Sequence, residues 1–155
     1  MPSNSPRSLD RIIRTLRSLM RSTGLPRPDR VLISTVSGSV HVEFTSGSAP
    51  DRLASLLLWV SRLDRVTLTW TLRPDHTLTV AATARNGAGL VFGLTASAAV
   101  ADLGATSAEQ SAVTLGPFRL VPLVVEPVTF EEVARLVQLG RAVAARHRAA
   151  SSAAA

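Results

Sequence analysis

His41 and Glu43 are the residues whose types and spacing most invite chemistry. On an extended segment, positions i and i+2 share a face, so an imidazole and a carboxylate stand side by side and offer two metal ligands. A metal centre needs a third donor, and none is supplied in sequence. His76 belongs to a turn. His147 lies near a helix C-terminus, where a partly protonated ring favours the helix dipole. There is no cysteine, which excludes disulfides and thiolate ligands. The chain also lacks a glycine-rich phosphate loop, a nucleophile elbow and paired histidines at helical spacing. Asn86-Gly87-Ala88-Gly89 reads as a turn. No catalytic residue, metal ligand or cofactor site is assigned, and a non-enzymatic protein is expected.

Arginine is the second chemical feature. Seventeen arginines and no lysine give a net charge of +6. Because arginine codons are GC-rich, the count overstates functional basicity, and position matters more. Residues 1–30 carry seven arginines against Asp10 and Asp29, residues 31–128 six against seven acids, and residues 129–155 four against two. Positive charge therefore sits at the ends. Arg7, Arg11, Arg14, Arg17 and Arg21 line one side of a helix whose other side is Leu9, Ile12, Ile13, Leu16, Leu19 and Met20. A basic amphipathic helix can lie on phosphates, on an anionic bilayer or in a partner's groove, and otherwise packs one face on its own sheet. These five arginines are the candidate nucleic-acid or anion-binding residues.

Threonine is the third. Val66, Leu68, Trp70 and Leu72 alternate with Thr67, Thr69 and Thr71, and Leu78, Val80 and Ala82 with Thr77, Thr79 and Thr83. Alternation of this kind marks half-buried strands with one hydroxyl-bearing face. That face has no aromatic residue on which a base could stack, so it suits a protein contact better than RNA. Leu58 and Trp59 lie off the main apolar stripe of the second helix. With Thr67, Thr69 and Thr71 they form the candidate interface.

The elements that must position these residues follow from periodicity. The first helix covers about 8–21 and ends at Gly24, Pro26 and Pro28. A hairpin about Ser37-Gly38 is expected to pair Val36 with Ser39 and Ile33 with Val42. The second helix covers 50–63. A strand from Arg65 to Arg73 and another from His76 to Arg85 must be joined by three residues, Pro74-Asp75-His76. Only an odd loop keeps Trp70 opposite Val80, and it leaves His76 in a left-handed conformation. An odd loop after Arg85 puts Leu90, Phe92 and Leu94 on the core face. Residues 96–111 read as a short helix around 97–103 and then a mobile loop. Residues 112–115 and 119–125 are expected strands, with Pro122 at an edge or bulge. Thr129-Phe-Glu-Glu132 is a capping box that starts a helix running to about His147.

The expected fold is α+β: a twisted antiparallel sheet with helices on one face and threonines on the other, in the order α-ββ-α-βββ-(α)-ββ-α. Residues 1–7 are a disordered lead-in, 8–148 a single domain and 149–155 a frayed Ala/Ser tail. No apolar run approaches the ~18 residues of a membrane span, and a cytoplasmic location is expected. The functional expectation is an interaction or assembly module that associates with itself or another protein. The alternative is a nucleic-acid-binding accessory protein using the first helix.

Overall fold

The structure, a computed structural model, describes residues 6–109 and 111–155, the side chains of 6–8 and 107–109 excepted. The fold is α+β. Helix α1 (Pro6–Thr23) precedes a hairpin of β1 (Arg30–Ser34) and β2 (Ser39–Phe44). Helix α2 (Ala49–Val60) leads into a meander of β3 (Asp64–Leu72), β4 (Thr77–Arg85) and β5 (Val91–Ala99). After one 3-10 turn (Val100–Leu103) come β6 (Ala105–Glu109), β7 (Ala112–Leu115), β8 (Phe118–Leu120), β9 (Val125–Val128) and helix α3 (Phe130–Ala153). The main sheet has six strands in the order β1-β2-β5-β4-β3-β9, and β6-β7-β8 form a second, smaller sheet.

The meander has the expected register. Trp70 faces Val80 and Leu72 faces Leu78 across a turn in which His76 has φ 63°. One junction departs from the expected antiparallel arrangement: β2 and β5 run parallel, with His41 beside Gly93 and Glu43 beside Thr95. The cause is the connection through α2. It returns the chain as β3 on the far side of the sheet, two hairpin reversals bring β5 back beside β2, and an even number of reversals leaves the two strands in one direction.

Other differences have local causes. The first hairpin closes on a four-residue loop, so Ile33 pairs with Val40 and Val31 with Val42. That is a shift of two residues, which keeps the same faces because side chains alternate with period two. It leaves Val36 78% exposed. The expected helix at 97–103 is shorter, since β5 continues to Ala99. Residues 105–109, expected as a mobile loop, form β6. The expected strand at 119–125 is split: β8 joins the small sheet, the chain bends at Pro122, and β9 joins the main one. Alanine's high helix propensity carries α3 through Ala153, well past His147. The capping box is present, with Thr129 N–H donating to Glu132 Oε2 at 2.8 Å and Glu132 N–H to Thr129 Oγ1 at 3.2 Å.

All three helices and the small sheet lie on one side of the six-stranded sheet, around a single core. Trp59 is central to it. Its indole is fully buried against Phe44 and Phe92, with ring centroids 6.2 and 6.4 Å away, and its N–H donates to the carbonyl of Pro26 at 2.9 Å. That bond ties the segment after α1 to α2. Gly140 lets α3 cross α2 closely, since a Cβ there would come within 3.1 Å of Pro50 and Leu103. Trp70 is 4% exposed, packs edge-on against Phe118 of β8 at 5.1 Å, and donates its N–H to Glu126 Oε2 at 3.0 Å. It thereby joins the two sheets. Trp70→Ala is expected to destabilise the protein by roughly 3–5 kcal/mol in denaturant unfolding. A loss below about 1 kcal/mol would mean that the contact with Phe118 contributes little.

Candidate functional site

The face of the sheet opposite the helices is uncovered, and its layout follows from register. One row across the strands reads Leu32, His41, Gly93, Thr83, Thr67; the next reads Arg30, Glu43, Thr95, Ala81, Thr69, Pro127; a third holds Ser97, Thr79, Thr71 and Val125. Thr67 is exposed, while Thr69 and Thr71 are half-buried between their neighbours. The three threonines named as interface candidates thus share one surface. Leu58 is 54% exposed on the other side of the molecule. Trp59 is not available for any contact: the aromatic cluster encloses it. The helical wheel put it off the main stripe, but α2 is sandwiched between the sheet and α3, so two of its sides are interior.

Charge enters this face at the β1–β2 end. Arg30 Nη1 lies 3.8 Å from Glu43 Oε2, and Glu43 Oε1 lies 3.7 Å from His41 Nε2. The same nitrogen is 3.3 Å from Thr95 Oγ1. A hydroxyl–imidazole–carboxylate relay needs its two partners on opposite ring nitrogens. Here both approach Nε2, so the arrangement positions the ring without making a relay. The ring itself lies over Gly93, where a Cβ would come within 2.8 Å of Nδ1. Glycine at that position is what lets the imidazole lie against β5. Among the described residues no three His, Cys, Asp or Glu side chains come together as a metal site.

A cavity of about 480 Å³ opens beside this group, where β2 ends against β5 and α2 begins. His41, Glu43, Arg52, Arg73, Thr79, Thr95 and Ser97 bring polar groups to it. Thr79 Oγ1 and Ser97 Oγ are 3.1 Å apart. Arg52 donates from Nε to the carbonyl of Ser97 at 2.9 Å and from Nη1 to that of Gly47 at 2.6 Å. The sequence pattern singles out His41 and Glu43 as a pair and puts Thr79 on the threonine face, but it does not single out Arg52, Arg73, Thr95 or Ser97. The signal was the alternation Thr95-Ala96-Ser97-Ala98, hidden by the small size of its apolar members.

The arginine stripe is placed as expected. Ile12 and Leu16 are buried, whereas Arg11, Arg14, Arg17 and Arg21 are exposed. Arg7 falls in the first turn of α1, and its side chain lies outside the described residues. Among those described, no arginine of α1 has a carboxylate within ion-pair distance. Arg27 joins Arg17 and Arg21 around Met20 and Leu25, an addition made by the turn that follows α1. In comparisons with known proteins, no family model, curated protein or solved structure matches the chain.

Asp29 fastens the entrance of β1 to the exit of β2. Its Oδ2 accepts the N–H groups of Thr45 at 2.6 Å and Ser46 at 3.0 Å, and its Oδ1 accepts the Ser46 hydroxyl at 2.5 Å. The Ser46 hydroxyl, and after it the backbone N–H groups of Ser46 and Thr45, hold the carboxyl down to a pKa of about 2 from the ordinary 3.8. A carboxylate depressed on folding adds stability above its unfolded pKa, and that stability fades as pH falls through the folded value. The contribution of Asp29 is therefore expected at neutral pH and lost between about pH 4 and pH 2. In acid titrations followed by thermal melting, Asp29→Asn should flatten this part of the profile. An unchanged profile would mean that the bonds to Thr45 and Ser46 do not persist in solution.

Proposed function

We propose that this protein is a non-catalytic interaction module that pairs with a second copy of itself through the uncovered sheet face. The supporting observation is the size and chemistry of that face. Its six strands have five, six, nine, nine, nine and four residues, 42 in all. At about 3.3 Å per residue and 4.8 Å between strands, they span roughly 650 Å². Two such faces would bury roughly 1,300 Å², within the ~1,200–2,000 Å² of stable interfaces. The middle of the face is threonine, serine, alanine and glycine, without charge, and small side chains allow two sheets to stack about 10 Å apart. Charge lies at its margins: at Arg30, His41 and Glu43 on one side, at Arg73 beyond the end of β3 and at Arg85 at the end of β4. A twofold axis through the centre would leave those groups at the rim, where they remain solvated.

Ala81 lies at the middle of the face, between Thr95 and Thr69. Ala81→Arg should weaken self-association by roughly a hundredfold or more, about 3 kcal/mol, while far-ultraviolet circular dichroism stays unchanged. Light scattering over a concentration series reads this directly. A wild type that remains monomeric at the highest concentration would overturn the proposal.

A second reading is supported by a separate observation, the exposed arginines Arg11, Arg14, Arg17 and Arg21 of α1, which have no ion-pair partner among the described residues. Arg11, Arg14, Arg17 and Arg21 face away from the core and therefore away from the threonine face, so phosphate contact through them would not compete with pairing. Three to five phosphate contacts imply a log–log salt slope of roughly −3 to −4, without base preference. Changing Arg11, Arg14 and Arg17 to Gln should remove most of that slope in titrations of labelled DNA and RNA. Absence of binding at low salt would dismiss this reading.

A further inference from the structure

We propose that the cavity where β2 ends against β5 is a site for one small organic oxyanion, whose carboxylate or phosphate group sits between Arg52 and Arg73. Arg52 is the main reason. Its side chain is half-buried, and its two placed N–H donors point to backbone carbonyls, those of Ser97 and Gly47. Carbonyls orient a guanidinium without neutralising it. Among the described residues no carboxylate lies within ion-pair distance of Arg52. A partly desolvated cation therefore stands in the wall with donors still to give, since guanidinium carries five N–H groups. An oxyanion satisfies both the charge and the geometry, and such charge-assisted bonds are the strong ones.

The rest of the wall suits the same ligand. Arg73 follows β3 and brings a second guanidinium to the cavity, with no hydrogen bond from its side chain among the described residues. Thr79 and Ser97 share one hydrogen bond, which engages one hydroxyl hydrogen and leaves the other to donate. Glu43, the only carboxylate of the wall among the described residues, is offset by Arg30 at 3.8 Å. The cavity's position is also favourable. β2 stops at Phe44, beside Ala96, while β5 runs on to Ala99, and the cavity lies at this step, where the carbonyl of Ser97 accepts from Arg52 of α2. A volume of about 480 Å³ lies within the ~300–1,000 Å³ of small-molecule pockets. It is too small for a duplex or a folded partner.

The test is isothermal titration of the full chain with inorganic phosphate and, separately, with succinate, at constant ionic strength. The variants are Arg73→Gln, which removes no internal contact, and Arg85→Gln, an exposed arginine at the other end of β4. Saturable binding at one site per chain is expected for at least one of the two probes. It should weaken roughly tenfold or more in Arg73→Gln and stay unchanged in Arg85→Gln. Saturation by phosphate alone would assign a phosphate-bearing ligand, and by succinate alone a carboxylate. No saturable heat with either probe at millimolar concentration would overturn the proposal. So would binding that is indifferent to Arg73→Gln. The site does not rest on self-association: binding is counted per chain, and a monomeric wild type would leave it standing.

Discussion

The parallel contact between β2 and β5 is the constraint on which the other features depend. It joins the first hairpin to the meander, so that two separate antiparallel units become one sheet with one core face. It sets His41 beside Gly93 and Glu43 beside Thr95, giving the histidine ring a flat seat and a hydroxyl neighbour. It also sets the end of β2 beside Ala96 while β5 runs on to Ala99, and the cavity lies at that step, next to Arg52 of α2. A meander that paired with β2 through β3 instead would have placed none of these groups together.

Burial on the other side of the sheet holds that contact in place. Phe44 and Phe92 come from the two parallel strands, and Trp59 from α2 packs against both. One aromatic cluster thus clamps the seam and orients the helix that delivers Arg52. Trp70 has a corresponding role at the other end, where it meets Phe118 and joins the small sheet to the large one. The two tryptophans use their N–H groups differently, one on a loop carbonyl and one on Glu126. Each satisfies a polar group that would otherwise be costly to bury.

The surfaces left over divide into two kinds on opposite sides of the molecule. The helix side bears the exposed arginines of α1, and the sheet side is hydroxyl-rich, with charge at its margins. A charged helix and a hydroxyl-rich sheet face favour different partners. Separation by the core allows both to be occupied together.

The local part of this structure is legible in the sequence. Apolar period fixes α1, α2 and α3, the Thr129–Glu132 pair marks a helix start, and the parity argument at Pro74-Asp75-His76 sets the register of β3 and β4. All of these depend on residues within a few positions of one another. The exposure of Arg11, Arg14, Arg17 and Arg21 and the shared face of Thr67, Thr69 and Thr71 are local in the same sense. What only the tertiary structure decided is which strand lies beside which. Neither the sequence pattern of β2 nor that of β5 shows whether they will run parallel, because both alternate as any half-buried strand does. The approach of Arg52 to Ser97, the seat of His41 on Gly93 and the burial of Trp59 against both parallel strands all follow from that choice. They are contacts between residues 15 to 52 positions apart in the chain. No short-range period encodes such pairings; they are settled by the packing of whole elements around one core.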